Sequence, residues 1–231
     1  MIHYRLTPFS ARAPLRRPPT LPPVELPFVQ QLRLYLSNAE RSDRQPSYAM
    51  VMHDGETLCW LDARGDRMMS SLSSASALAR LRTHLIEPAS PLRIVIASHA
   101  AFEALSRAVI CAPLRQSLWH LGLGDGDAAM HIAPLAADTY LRLRRWPDAR
   151  LLDHRDDHFQ ICALLVRQGA SALGCSRALD LPLPLVQAVF NAAFLSGYGY
   201  PVASTRAAIQ RPATGRLKTL WQRVRLHWRF R

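Results

Sequence analysis

The dipeptide Asp54-Gly55 is the feature that most constrains what this chain can fold into. It separates two runs of strand-forming residues, at 48–53 and 56–61. Aspartate and glycine tolerate the positive φ angles of a two-residue hairpin turn, so the pair predicts two antiparallel strands joined by a tight turn. A second turn signal at Gly65-Asp66 predicts that a third strand follows over 67–70.

Helical and strand patterns surround this hairpin. An apolar stripe at helical spacing predicts a helix over 28–40, and nearby serines can cap a second helix over 75–87. The other elements expected before residue 148 are a strand at 92–97, helices at 101–111, 113–121 and 137–145, a loop at 122–127 and a strand at 130–132. Such a mixture predicts an α/β-type domain over 28–148, within a chain of the α+β class.

The composition is that of a folded protein without a membrane-spanning segment. Of the 231 residues, 49% are hydrophobic, which is too large a share for global disorder. There is no run of about 18 apolar residues, and the N-terminus lacks the apolar core of a signal peptide. Four cysteines without a C-x-x-C pair favour buried free thiols in a reducing compartment. The sequence therefore predicts a cytoplasmic location.

Residues 1–27 differ from the rest of the chain in their proline content. Seven prolines lie between Pro8 and Pro27. Because proline lacks a backbone donor and fixes φ, this stretch is predicted to be a disordered, extended arm. Such an arm could act as a tether or as a ligand for a proline-binding groove.

Residues 149–203 have a different rhythm, with three helices predicted at 158–168, 171–179 and 184–195. A glycine ends the first helix, a proline-rich turn precedes the third, and the segment LSGYGYPV follows. This order resembles the winged-helix modules of bacterial regulators, in which a glycine-aromatic step leads from the last helix into a strand. The resemblance implies an all-α, winged-helix-like module that either binds DNA or docks a protein through its third helix.

The side chains of the third helix favour protein docking over DNA binding. The helix carries no arginine or lysine, and positive charge supplies most of the binding energy to DNA. Its surface combines two polar side chains at i,i+4 spacing with large apolar ones. The residues predicted to dock a partner are Gln187, Phe190, Asn191 and Phe194.

The charge of the chain is unevenly distributed. Its net charge is +12, from 29 basic and 17 acidic residues. Asp180 is the last acidic residue and eight basic residues follow it, so residues 1–180 carry +4 and the last 51 residues carry +8. A basic segment attached to a nearly neutral body predicts contact with an anionic partner at one end of the chain.

Residues 204–231 are predicted to contain a basic amphipathic helix, which we call the tail. An apolar stripe with two tryptophans is flanked there by basic side chains. The residues expected to contact an anionic surface are Arg216, Lys218, Trp221, Arg223, Arg225, Trp228 and Arg229. Three interpretations stay open: peripheral attachment at the inner face of the membrane, contact with nucleic acid, or packing of the stripe on the body.

Two histidines are weak candidates for a metal site. His154 and His158 have the i,i+4 spacing that would place both imidazoles on one helical face. No third ligand is nearby, and Asp156 and Asp157 fit the start of a helix without a metal. The G-x-S-x-G, P-loop and dinucleotide-binding motifs are absent. We therefore assign no catalytic or cofactor-binding residue and expect no cofactor.

These features favour a non-enzymatic regulatory or adaptor protein. Arginine fills 28 of the 29 basic positions, a bias typical of GC-rich bacterial genomes. The third helix of the module would dock a protein partner, and the tail would contact an anionic surface. The alternatives are a DNA-binding transcription regulator, in which the tail holds phosphate, and an enzyme with a site near His99 or His154. Any small-molecule ligand of the α/β-type domain is left unidentified by the sequence.

Overall fold

The computed structural model describes residues 26–41, 47–70, 74–86, 92–106, 110–124, 135–152 and 155–203. Most of the proline-rich arm, the strand predicted at 130–132 and the tail lie outside the described residues. Within them, the chain combines helices with two antiparallel sheets, in agreement with the predicted α+β class. No helix in this part of the chain is both long enough and apolar enough to cross a membrane.

Seven α-helices occur among the described residues. They are α1 (Phe28–Arg41), α2 (Ser74–Ile86), α3 (His99–Ser106), α4 (Leu114–Leu123), α5 (Asp156–Arg167), α6 (Ala172–Leu179) and α7 (Leu183–Leu195). All of them except α3 lie within two residues of their predicted bounds. The proline-rich turn predicted before the third helix is present, since α7 follows Pro182. The cap of α6, in which the Ser171 hydroxyl accepts from the Gly174 N–H, was not predicted.

Five strands form the first sheet, in the order β4-β1-β2-β3-β5. They are β1 (Tyr48–His53), β2 (Glu56–Asp62), β3 (Arg67–Ser70), β4 (Arg93–Ile96) and β5 (Ile110–Pro113). The predicted hairpin is confirmed, because β1 and β2 are antiparallel and His53 pairs with Glu56. The turn residues Asp54 and Gly55 have φ angles of 47° and 84°, as a turn of this kind requires.

A second, smaller sheet has the order β7-β6-β8, with β6 (Tyr140–Leu143), β7 (Ala170–Ser171) and β8 (Gly199–Pro201). The helix predicted over 137–145 was wrong, since β6 occupies its centre. Leu141 and Leu143 are buried while Arg142 between them is exposed, which is the two-residue alternation of a strand. β6 is antiparallel to both of its neighbours, pairing with β7 through Tyr140 and Leu141 and with β8 through residues 141–143.

Two further predictions need correction. The helix expected over 101–111 ends as α3 at Ser106, and β5 begins at Ile110 because Cys111 pairs with Met69 on the distant strand β3. The loop expected over 122–127 begins later, since α4 continues to Leu123. In both places, pairing or packing with residues far away in sequence outweighed the local signal.

One cluster of buried side chains extends through the chain from Phe28 to Tyr198. α7 lies within it, and every residue from Val186 to Leu195 is buried. A helix that is apolar on all sides is stable only where other elements cover it. The segments predicted as separate domains, 28–148 and 149–203, therefore share a hydrophobic core.

The closest approach within this core is between α4 and α7. Gly122 on α4 lies directly against the backbone of α7, and a Cβ atom at this position would be 2.4 Å from Cα of Ala192. Such an approach is open to glycine alone. Trp119, one turn earlier on α4, is fully buried, with its ring centroid 6.2 Å from that of Tyr198 after α7. α4 thus joins the helical segment to the first sheet.

Candidate anion-binding site

The four residues predicted to dock a partner are in the interior of the protein. Gln187 and Asn191 have no exposed surface, and Phe190 and Phe194 are buried as well. The two polar side chains contact each other, with Gln187 Nε2 donating a hydrogen bond to Asn191 Oδ1 at 3.1 Å. These side chains hold the core together in the described structure, and a partner could reach them only if α7 separated from its neighbours.

The histidine candidates are not brought together as a metal site. His158 is buried on the first turn of α5, and His154 lies outside the described residues. Asp157 Oδ1 accepts a hydrogen bond from the backbone N–H of His158 at 2.9 Å, and Asp157 also pairs with Arg155. Asp156 and Asp157 lie in the first turn of α5, where the helix dipole favours acids, but neither is the expected N-cap, since Arg155 holds that position and its side chain makes no capping hydrogen bond. Across the ranges that the structure covers, no group of three or more potential metal ligands is present.

The Ser98-His99 pair also lacks a catalytic arrangement. The Ser98 hydroxyl accepts a hydrogen bond from the backbone N–H of Ala101 at 3.2 Å, at the first turn of α3. His99 is exposed, and its ring centroid lies 5.1 Å from that of Tyr48 on β1. The serine side chain thus serves the helix start, and the histidine contacts an aromatic ring.

Four arginines converge on a different part of the surface, and we call this group the arginine cluster. Arg33 comes from α1, Arg115 from the first turn of α4, and Arg144 and Arg145 follow β6. Two of them bind the Glu40 carboxylate, with Arg115 Nη2 2.9 Å from Oε1 and Arg144 Nη1 3.4 Å from Oε2. Three elements that are distant in sequence thereby meet at one carboxylate.

The end of α7 holds two of these guanidinium groups in place. Arg33 Nη1 donates a hydrogen bond to the Phe194 carbonyl at 2.9 Å, and Arg115 Nη1 donates to the Ser196 carbonyl at 3.1 Å. The last carbonyls of a helix lack intrahelical partners and carry partial negative charge, so cations are favoured there. Gly197, with a φ of 86°, leaves room for these contacts, since a Cβ atom would lie 3.1 Å from Arg115 Nη1.

Aromatic rings lie against all four guanidinium groups. The Arg33 Cζ atom is 4.9 Å from the ring centroid of Phe194, and the Arg144 Cζ atom is 5.3 Å from that of Tyr200. Arg115 and Arg145 lie 5.9 Å and 5.4 Å from the ring of Tyr198. Arginine stacks on aromatic faces within about 6 Å, which restricts the guanidinium planes before any ligand arrives.

The arginine cluster is only partly neutralised. Four arginines and Glu40 together carry a net charge of +3. Burial lowers the pKa of Arg33, the charges of Arg144 and Arg115 lower it further, and Glu40 opposes them. The side chain of Arg115 is 16% exposed and that of Arg144 is 45% exposed, so the group reaches from a sheltered position to the surface. This arrangement favours the approach of an anion.

Sequence reasoning missed the arginine cluster because its members are far apart in the chain. Arg33 and Arg145 are separated by more than a hundred positions, and the body as a whole carries only a small net charge. One local signal was available, since Arg144 and Arg145 stand beside the exposed Trp146. To use this signal, residues 140–143 would have had to be recognised as a strand. The chain matches no protein-family model, and searches of curated proteins and of solved structures found no match.

Proposed function

We propose that this protein is a non-enzymatic bacterial regulatory or adaptor protein that binds an anionic protein partner through the arginine cluster. The observation that carries the proposal is that four arginines meet around the end of α7, and that two of them, Arg115 and Arg144, bind the carboxylate of Glu40. Hydrogen bonds, ion pairs and aromatic rings within the protein hold the guanidinium groups in position before a partner binds. Positioning in advance lowers the entropy lost when a partner binds.

The side chains around the arginine cluster favour a protein as the partner. Arginine, tryptophan and tyrosine are the residues most enriched among those that dominate the energy of protein interfaces. Trp146 directly follows Arg145 and is 44% exposed. It would supply apolar contact area next to the charged groups, and this moves the docking role away from the buried side chains of α7.

The winged-helix-like module remains part of this proposal. The observed order is α5, β7, α6, α7 and then β8. The three helices and the strand that follows them support the resemblance, but the module is not all-α as expected, because β7 lies between α5 and α6. α7, the third helix, carries no basic residue and is largely buried, which favours a structural and docking module over one that reads DNA with this helix. A DNA-binding regulator is the alternative, and it would have to hold phosphate through the arginine cluster or the tail.

The tail would add a second anionic contact. Its predicted contact residues lie outside the described part of the chain, so attachment to an anionic membrane surface stays a prediction. Sedimentation with anionic vesicles tests it, by comparing the full chain with a shortened chain that ends at Pro212. Loss of vesicle binding in the shortened chain would support surface attachment by the tail, and equally poor sedimentation of both chains would contradict it.

The adaptor proposal is tested by the binding of a fluorescein-labelled oligoglutamate peptide, measured by fluorescence anisotropy. The double substitution of Arg144 and Arg145 by glutamine should weaken binding by about tenfold, a change of about 1.4 kcal/mol. The matched control replaces Arg167 and Arg177, which are exposed on α5 and α6, and removes the same charge elsewhere. Equal weakening in both variants would mean that binding follows net charge alone, and would refute the proposal.

A further inference from the structure

We infer that the arginine cluster is a binding site for a dianionic phosphoryl group, and that the Glu40 carboxylate competes with this ligand for Arg115 and Arg144. The inference rests on the proposed function, since it names the chemical group that the anionic partner would carry. A phosphorylated side chain on a protein partner is the source that agrees with the neighbouring Trp146.

The charges at the centre of the arginine cluster call for more than one negative charge. The four arginines carry +4 and Glu40 contributes −1, which leaves +3. A phosphate monoester carries about −1.5 to −2 at neutral pH. A second carboxylate or a phosphodiester would contribute only −1. The monoester therefore matches the remaining charge better than either of them.

The geometry around Glu40 also suits a phosphoryl group. Each carboxylate oxygen of Glu40 contacts a different arginine, at 2.9 Å for Arg115 and 3.4 Å for Arg144, and neither contact is a bidentate pair. A phosphoryl group presents three terminal oxygens, so it can accept from these two guanidinium groups and retain a third oxygen for another donor. Arg33 and Arg145, held by the rings of Phe194 and Tyr198, are the nearest sources of that donor within the cluster.

The depth of the site limits which phosphates can enter. Arg115 is largely sheltered beneath the chain after α7, whereas Arg144 lies nearer the surface. A terminal phosphoryl group can reach both, because three of its oxygens point away from the molecule that carries it. A nucleic-acid backbone presents isolated single charges in a continuous chain and gains its affinity from many separate contacts. Duplex DNA is therefore a competing outcome of the test and not the ligand that we infer.

Glu40 gives this inference a distinctive consequence. Its carboxylate is tethered to α1 and 35% exposed, so an incoming anion has to share or displace it. Glu40→Gln keeps the shape of the side chain and removes its charge. This variant should bind a phosphate monoester more tightly than the natural chain does, which is unusual for a substitution inside a binding site.

Titration calorimetry of the full chain at neutral pH provides the test, with phenyl phosphate and phenyl sulfate as probes. The two probes share a ring and a tetrahedral anionic group and differ by about one charge. Phenyl phosphate should bind about tenfold more tightly than phenyl sulfate, Glu40→Gln should tighten phosphate binding severalfold, and Arg144→Gln should weaken it about tenfold. Arg177→Gln, on the exposed face of α6, should leave binding unchanged.

Two results with the phenyl probes would overturn the inference. One is equal affinity for the two probes, and the other is an absence of phosphate binding in both the natural chain and Glu40→Gln. Circular dichroism of each variant establishes that it is folded, and Arg144 is exposed enough for its replacement to be tolerated. A titration with a short DNA duplex tests whether nucleic acid is the ligand. Tighter binding of DNA than of phenyl phosphate, with the same dependence on Arg144, would also contradict the inference.

The oligoglutamate experiment separates this inference from the proposed function. If oligoglutamate binding depends on Arg144 and Arg145 while the two phenyl probes bind equally, the adaptor function stands and the phosphoryl preference falls. If oligoglutamate binding does not depend on these arginines but phenyl phosphate is preferred, the site is a phosphoryl site without the proposed adaptor role. If neither dependence is found, both proposals fail.

Discussion

Replacement of Gly122 by alanine tests the contact that joins α4 to α7. The added Cβ atom would lie 2.4 Å from both the Cα and the N atoms of Ala192. An ordinary contact between such atoms is about 3.5 Å or longer, so the two helices would have to move apart by about 1 Å. Neither neighbour is the end of a flexible side chain, because both atoms belong to the backbone of a buried helix.

Two opposing effects set the size of the change in the free energy of unfolding. Alanine in place of glycine stabilises a helix interior by about 1 kcal/mol, and this is an upper value for Gly122, which is the last residue but one of α4. Overpacking of a dense core costs about 1–3 kcal/mol, and a backbone-to-backbone clash belongs at the upper end of that range. The expected net result is a loss of about 2 kcal/mol. For a chain of this size, this corresponds to a fall in Tm of about 4–8 °C.

Thermal unfolding followed by circular dichroism, together with urea denaturation, would measure this change. Ala79→Gly is the matched control, since Ala79 is exposed on α2 and its replacement isolates the helix-propensity term. The control should lose about 1 kcal/mol. If Gly122→Ala proved more stable than the natural chain by a similar amount, only the propensity term would be operating, and the inferred close approach of α4 and α7 would be refuted.

Two further predictions concern buried groups on α1 and in the first sheet. Tyr35→Phe should lower the free energy of unfolding, measured by urea denaturation, by about 1–3 kcal/mol. The Tyr35 hydroxyl accepts a hydrogen bond from the Ala63 N–H at 3.0 Å and lies 3.1 Å from the Leu61 carbonyl, and these buried groups would lose a partner. An unchanged denaturation midpoint would argue against this network. Burial raises the pKa of Cys59 to about 12, so the folded state keeps this thiol protonated at pH values where the unfolded chain ionises it. The free energy of unfolding should therefore fall as the pH rises above about 8.5, the pKa of an unfolded thiol. Brief alkylation of the native chain followed by mass spectrometry should accordingly modify the exposed Cys111 and spare Cys59, whereas equal labelling would contradict the burial of Cys59.

The elements predicted well were those whose signal is contained within the element itself. The Asp54-Gly55 turn and the apolar stripe of α1 specify a hairpin and a helix without reference to the rest of the chain. β5 and β6 were misread as helix because four-residue strands carry little periodic signal. Their state is decided by pairing with strands up to about sixty positions away, which a local window does not see.

For the candidate site, the sequence predicted only that the partner would be negatively charged. An uneven distribution of charge indicated an anionic partner, but it pointed to the tail and not to the body. The members of the arginine cluster occur singly or as a pair in the sequence, where each is most simply a solvated surface residue. Their meeting depends on the packing of α1, α4 and β6 around the end of α7. Packing also explains why Gln187 and Asn191, polar enough to suggest a surface, are buried against each other.

The position of β6 in the second sheet limits how this protein can be divided. β6 lies ahead of the three helices in sequence, whereas β7 and β8, which pair with it on either side, come later. A fragment that started at residue 149 would retain all three helices and lose the strand that both β7 and β8 require. Any fragment that keeps this sheet intact therefore has to begin before Tyr140, and one that also keeps the contact of α7 with α4 has to begin before Leu114. Because the pairing of β6 with β8 closes a long loop of chain, we expect the second sheet to form late in folding.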